Sequence, residues 1–312
     1  MPVRGGRKAR KRKRSRGRWR VLIPLLLALL VVGGAWGWMA LSASIVHVKQ
    51  AEVYLPDLPA QFDGVTLLYA SDVNIRTAAD AAACERLLRK LSDLSPDMLI
   101  LGGDYSAGTL LDALNDAPDT GDMLHTREFL QSLVSFRAPL GKYAVCGEAE
   151  DGGDPVLGAF ALANIQLLQD GRATIERDGA QLTIVGLRDV SEESTDYGAI
   201  GRNFRKDACV IVLAHNPLAY TRIRMSEAQD GGAWADLVLS GHTLGGQMKL
   251  FGRTLRRFSE EEARRIAGWY YGDDLPVLVS QGIGCRGAKL RLGTQSEVWH
   301  ITLRCPSRQV EP

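Results

Sequence analysis

Five side chains that could do chemistry stand just after five short apolar runs. Asp72 follows the run at 65–70, Asp104 follows 98–101, Glu148 follows 142–146, His215 follows 209–213 and His242 follows 237–240. Any one of them alone has an ordinary explanation. An aspartate after a strand is commonly a turn or helix cap, and a lone histidine is commonly hydrogen-bonded structure. Five in series on one edge of a sheet are a different matter. Mixed carboxylate and imidazole donors suit Mn, Fe or Zn, and two such ions held close together suit phosphoryl chemistry.

The turn Gly241-His242-Thr243-Leu244-Gly245-Gly246-Gln247 is the most distinctive of the five. Its glycines allow sharp bends and close approach, and the imidazole sits where α/β sheets bind ligands, beyond the strand's carboxyl end. Leu244 is the odd residue, an apolar side chain in a turn otherwise suited to polar chemistry.

The elements that must position these groups alternate between strand and helix, which predicts an α/β domain. Strands are expected at 65–70, 98–101, 142–146, 165–168, 172–177, 181–187, 209–213, 237–240, 277–280 and 298–303. Asp178-Gly179 marks a hairpin. Helices are expected at about 78–94, 122–135, 155–163 and 259–267, with Pro217 in the first turn of another. On the first helix, Ala82, Leu87, Leu88, Leu91 and Leu94 form most of an apolar face. The polar stretches 107–121 and 188–206 read as loops framing the strand ends.

The chain has 312 residues, 46% of them hydrophobic, enough for one large domain with a core. Its net charge of +2 conceals an asymmetry: the first 20 residues hold 11 Lys/Arg and no acid, and the other 27 basic residues face 36 acidic ones. No nucleic-acid partner is expected of that arm. It carries a single aromatic, Trp19, and abuts the uncharged run 21–46, so a membrane reading fits it better. At about 1.5 Å per residue the run spans a hydrocarbon core of about 30 Å. The segment Ala40-Leu41-Ser42-Ala43 resembles a signal-peptide cleavage site, but the run exceeds a signal h-region of roughly 7–15 residues. The expected organisation is a cytoplasmic arm at 1–20, a single-pass anchor at 21–46 and an extracytoplasmic domain at 47–312, with the arginines inside. Cys84, Cys146, Cys209, Cys285 and Cys305 show no CxxC or zinc spacing. Cys146 and Cys209 read as buried hydrophobes, and any disulfide stays unassigned. Arg253, Arg256 and Arg257 form a basic cluster that could meet anionic headgroups or phosphates, though a solvated surface is the plainer reading.

Over about residues 64–303 the chain resembles the calcineurin-like metallophosphoesterase superfamily, and most of all the membrane-associated bacterial branch with the YkuE-type phosphoesterases. That family carries Asp-x-His after the first strand, Gly-Asp after the second and Gly-Asn-His-(Asp/Glu) after the third. A His-Asn-Pro and a Gly-His-Thr-His-Gly-Gly-Gln follow. In this chain the series reads Asp72-Val73-Asn74, Gly103-Asp104, Gly147-Glu148-Ala149-Glu150, His215-Asn216-Pro217 and Gly241-His242-Thr243-Leu244. The later Ser280-Gln281-Gly282-Ile283-Gly284 also resembles a segment of that branch. The resemblance implies a sandwich of two mixed β-sheets flanked by helices.

It also implies ligand sets. One metal of the family would fall on Asp72, Asn74, Asp104 and Leu244, where leucine coordinates nothing and asparagine is a poor exchange for imidazole, so this site is weakened. The other would fall on Asp104, Glu148, His215 and His242, where a carboxylate replaces an asparagine; a single Mn, Fe or Zn ion there is chemically reasonable. The family's transition-state histidine is Ala149, so no catalytic residue is intact. Three readings follow. One is an envelope binding or scaffold protein with weak or no phosphoesterase activity. A second is an active single-metal phosphoesterase for a lipid-linked or envelope phosphate or pyrophosphate. The third is a remodelled enzyme with Glu148 or Glu150 as base. An anionic phosphate or lipid-linked ligand is expected in the first two; no protein partner is legible.

Overall fold

The computed structural model describes residues 16–107, 123–150, 157–190, 195–272 and 275–306. Most of the basic arm and of the expected 107–121 loop lie outside them.

A 29-residue helix, α1 (Arg16–Ser44), opens the described chain. It is long and apolar enough to cross a membrane by length and composition. Strand β1 (Val46–Tyr54) follows at once. It has no counterpart among the expected elements. Only Val53 of its nine residues is buried, so its sequence shows no apolar run.

Among the described residues, two six-stranded sheets form the domain. The first has the order β1, β14 (Ser296–Arg304), β2 (Thr66–Ala70), β3 (Met98–Leu101), β4 (Lys142–Ala144), β5 (Gln166–Leu167). The steps from β2 to β5 are parallel, while β14 runs antiparallel to β2 and parallel to β1. The second sheet has the order β12 (Gly268–Tyr270), β13 (Val277–Val279), β9 (Leu237–Ser240), β8 (Val210–Leu213), β7 (Ala180–Gly186), β6 (Gly171–Arg177). Its four inner strands are parallel and its two edge strands antiparallel. A hairpin of β10 (Lys249–Leu250) and β11 (Arg253–Thr254) stands apart.

The strand alternation divides the core into three layers, because successive side chains point to opposite faces. Leu67, Tyr69, Met98, Ile100, Ile211, Leu213, Leu237 and Leu239 meet between the sheets. Leu68, Ala70, Leu99 and Leu101 face outward onto α2 (Ala78–Leu91), α3 (Met123–Ser132) and α4 (Leu157–Leu162). Val210, Val212 and Val238 pack on the other side with α5 (Tyr197–Gly201) and α6 (Ala219–Met225). Strands covered on both faces read as continuous apolar runs, which is why the inner strands were legible. The two-sheet sandwich matches the expected fold class.

Three expectations shift. The buried face of α2 is Ala81, Cys84, Leu88 and Leu91, with Ala82 and Leu87 on its flank and Leu94 37% exposed. Pro217 precedes its helix: α6 begins at Ala219, and the Asn216 side chain accepts from Leu218 N–H at 3.0 Å. The stretch 188–206 includes the short α5, capped by Asp196; residues 191–194 lie outside the described set. None of the five cysteines is disulfide-bonded, and Cys84, Cys146, Cys209 and Cys285 are buried.

Candidate metal centre

The carboxyl ends of β2, β3, β4, β8, β9 and β13 converge, and the turns after β2, β3 and β9 are held in an unusual backbone shape. Asp72, Asn74, Asp104, His242, Leu244 and Gln247 all have positive φ, between 49° and 68°. Such residues are sterically costly and cluster at functional sites. Leucine has no local hydrogen bond with which to offset that cost, yet Leu244 keeps φ 53° and is 2% exposed. The turn has kept its shape while its side chain carries no donor.

Glycines permit the close approach. A Cβ on Gly103 (φ 93°) would lie 2.7 Å from both the Gly147 nitrogen and His215 Nδ1. One on Gly241 would strike the Asp72 carboxylate and Ser71. Backbone bonds then stitch the turns: Asn74 N–H to Asp104 O at 3.0 Å, Gly241 N–H to His215 O at 2.9 Å, Gly284 N–H to Asp72 O at 2.7 Å. The Asp72 carboxylate accepts from His242 N–H at 3.0 and 3.1 Å.

Asp72, Asp104 and His215 are all buried, and one ligand atom from each lies within 4.8 Å of the others. His215 Nδ1 faces Gly102 O at 2.7 Å. With the proton on Nδ1, Nε2 is the free ligand, and it sits 3.3 Å from Asp104 Oδ1. Among the described residues, buried His215 Nε2, His242 Nδ1 and Asn74 Nδ2 have no hydrogen-bond partner. This mixed oxygen and nitrogen set fits one divalent ion.

Glu148 and His242 face each other, His242 Nδ1 being 3.5 Å from a Glu148 oxygen. They do not join the three-residue group. The guanidinium of Arg286 stands between: its Nη2 donates to Asp104 Oδ2 at 2.6 Å and pairs with Glu148. A second arginine, Arg256, lies with Nη2 3.3 Å from His242 Nε2 and its plane over Phe258. Arg256 is half-buried, whereas Arg253 and Arg257 are exposed, so only the middle residue of the basic cluster enters the site. Arg256 and Arg286 share a cavity of about 430 Å³ with Leu244, Met248 and Leu255.

The electrostatics follow from this arrangement. Burial pushes the Asp72 carboxyl up to about 6, with His215 drawing it back and Asp104 adding to the rise. Burial would raise Asp104 too, but His215 and Arg286 together hold it well below the usual carboxylate range. Burial opposes charge on His215, and Asp104 overrides it, raising this imidazole well above its ordinary value. His242 is pushed down to about 2 by burial, then by the charges of His215 and Arg286, and is neutral.

Three further side chains hold the frame: Glu150 and Gln247, which lie within the motifs, and Arg291, which no motif marks. Glu150 is 2% exposed and accepts four backbone N–H groups: Tyr105 at 2.7 Å and Ser106 at 3.2 Å on one oxygen, Asp104 and Gly147 at 3.0 Å each on the other. Burial and the Asp104 charge raise this carboxyl against those donors. Its oxygens are fully occupied, which leaves no lone pair for a base. Gln247 grips the loop that carries Arg286, accepting from Arg286 N–H at 2.9 Å and donating to Arg286 O at 3.0 Å. Arg291 is fully buried and donates to the carbonyls of Leu244, Gln281, Gly282, Gly284 and Gln295.

Lysine offers three donors from one point and cannot reproduce that fork. Arg291→Lys should leave at least two buried carbonyls unpaired and cost about 3 kcal/mol. A melting temperature lower by roughly 6–12 °C is the expected reading; an unchanged one would show that the fork is dispensable.

No family model matches the chain. A Danio rerio protein described as a transmembrane protein with metallophosphoesterase domain is 26% identical over 298 residues, covering 91% of this chain and 62% of the relative. The chain thus spans about three-fifths of that relative's length. A metallophosphoesterase of Aquifex aeolicus is 27% identical over 272 residues, covering 85% of this chain and 94% of the relative. Among solved structures, the calcineurin-like phosphoesterase YfkN of Bacillus subtilis aligns with a TM-score of 0.41 at 13% identity, covering 70% of this chain and 82% of that one. The motif order and these sequence relatives support a relationship to the metallophosphoesterases. The apolar helix α1 and the first relative's description support membrane association.

Proposed function

We propose that this chain is a membrane-anchored metallophosphoesterase-fold protein that holds at most one divalent ion and works by binding, as a scaffold at the cell envelope, with little or no phosphoesterase activity. The observation that carries the reading is the Arg286 guanidinium paired to both Asp104 and Glu148. A fixed cation there opposes a second metal. The ion that remains would sit on Asp72, Asp104 and His215 and supply Lewis-acid chemistry. Asp104 would bind it through one oxygen while Arg286 keeps the other. Ala149 contributes only its N–H, which donates to Asp104 at 3.2 Å, and no side-chain acid. Loss of a positioned acid costs about 10²–10⁴-fold, and loss of one metal removes half of the clamp on the reacting oxygens.

The arm at 1–20 is cytoplasmic in this reading and the domain lies outside. Retention of α1 is supported by its junction with the domain: Ala43 is buried and its carbonyl accepts from the Ser296 hydroxyl at 3.1 Å. A second reading, an active single-metal phosphoesterase acting on a lipid-linked or envelope phosphate, is favoured by the convergence of Asp72, Asp104 and His215.

Hydrolysis of an aryl phosphodiester by the detergent-solubilised full chain with Mn²⁺ separates the two. Background activity is expected of the parent. The change Asn74→His, Glu148→Asn, Ala149→His, Leu244→His combined with Arg286→Ala should gain at least about 10²-fold. The same four changes with Arg286 retained should stay near background. Parent activity that is already high and vanishes in Asp104→Ala would replace the scaffold reading with the enzyme.

A further inference from the structure

The end of α1 does not hang free. Arg291 N–H donates to Met39 O at 3.1 Å, the Ser42 hydroxyl to Thr294 O at 3.3 Å, and Ser296 to Ala43 O at 3.1 Å. The membrane-spanning segment is thereby fixed against the domain. Trp36 and Trp38 are 58% and 67% exposed, as suits residues at the bilayer interface. Ser44 lies roughly 9 Å further along the helix, at headgroup level.

A cavity of about 470 Å³ opens at that level, and its wall includes Ala43 and Ser44. The other walls come from the turn after β2, from α2 and from the loop after β13. Val46, Val73, Ala83, Leu87 and Ile283 make its apolar part. Leu87, on the flank of the buried face of α2, packs against the core on one side and lines the cavity on the other. Four cations ring the opening: Arg76, Arg86, Lys90 and Lys289. Lys289 is paired with Asp80 at 2.9 Å. Arg76, Arg86 and Lys90 make no ion pair among the described residues. Arg76 also acts on Asp80, which lines the cavity, so Arg86 and Lys90 are left as exposed positive charges beside an apolar wall at the end of α1, a setting that complements one class of molecule.

We propose that this cavity holds an anionic glycerophospholipid of the leaflet from which α1 emerges, its phosphate at Arg86 and Lys90, one turn apart on α2, and its acyl chains leading back along α1. The site is separate from the carboxylate–imidazole cluster and independent of whether a metal is bound, although Asn74 borders both. A bound lipid would fix the height and tilt of the domain over the bilayer, which the helix alone leaves free.

The test uses the full chain in nanodiscs of phosphatidylcholine containing 30 mol% phosphatidylglycerol. Native mass spectrometry then counts the lipids retained after release. Each surface cation contributes about fivefold to binding of anionic lipid, so the parent should retain phosphatidylglycerol roughly 30-fold better than Arg86→Gln/Lys90→Gln. Both side chains are exposed, so the double variant should fold, and circular dichroism checks that it does. Arg177→Gln, on the exposed edge strand β6, should retain lipid like the parent. The basic arm is common to all three proteins and cancels. Equal retention by parent and double variant, or equal retention of phosphatidylcholine and phosphatidylglycerol by the parent, overturns the proposal. So does binding of soluble glycerol 3-phosphate as tight as that of the lipid, which would make the cavity a free-anion site.

Discussion

Arg286→Met is expected to make the chain's stability depend on divalent metal. Arg286 is the counter-charge for Asp104 and Glu148, and its removal leaves the buried Asp104 carboxylate close to Asp72 with His215 as the remaining cation. Breaking a buried pair from one side costs about 3–5 kcal/mol. Arg286 keeps 22% side-chain exposure, so the low end applies, and the metal-free variant should melt roughly 6–12 °C below the parent. Metal reverses the sign. An ion bound through Asp104 would be repelled by the Arg286 guanidinium, which bonds the other oxygen of the same carboxylate, and the variant has lost that repulsion while freeing an oxygen of Asp104. At a metal concentration 100-fold above the dissociation constant, binding returns about 2.7 kcal/mol. The variant should therefore recover most of its melting temperature in 100 µM Mn²⁺ or Zn²⁺, while the parent shifts far less. A variant whose melting and metal content match the parent's would show that Arg286 takes no part in the site.

Glu150→Gln should be nearly as costly, for a reason of geometry. Each Glu150 oxygen accepts two N–H groups, from the turn after β3 and the turn after β4. Glutamine keeps the shape but replaces one oxygen by an NH₂ that points at two donors. Buried unsatisfied donors cost about 1–3 kcal/mol each, so a loss of about 4 kcal/mol in urea unfolding is expected, together with loosening of Asp104. A neutral outcome would mean that Glu150 carries a proton in the native state and accepts fewer N–H bonds than its geometry offers. As a glutamate two residues past Glu148 it invites a catalytic role; its saturation by backbone donors gives it a structural one.

The positions of Asp72, Asp104, Glu148, His215 and His242 were legible because each closes a short run of fully buried strand, and such runs stand out in any sequence. The cation among them was not. Arg286 lies in a glycine-containing loop 182 residues from Asp104, and an arginine in such a loop usually points to solvent. Arg291 was equally opaque, since its role consists of bonds to carbonyls that only the folded loops bring together. Strand β1 escaped for the opposite reason: an edge strand with charged residues on both faces has no apolar pattern to read. Arg256 was half legible. Its charge was noted, but sequence spacing could not tell it from Arg253 and Arg257, which the short hairpin turns away.

The order of strands in the first sheet has a consequence for synthesis. β1 is the first strand made after α1, yet among the described residues its one neighbour in the sheet is β14, which also separates it from β2. Until residue 304 is available, β1 has no partner and β2 presents an open edge. At roughly 5–20 residues per second, translation leaves that edge uncovered for on the order of 10–50 s. The parallel unit β2 to β5 can assemble in that interval, but the sheet closes last at the seam where the end of α1, β1 and β14 come together.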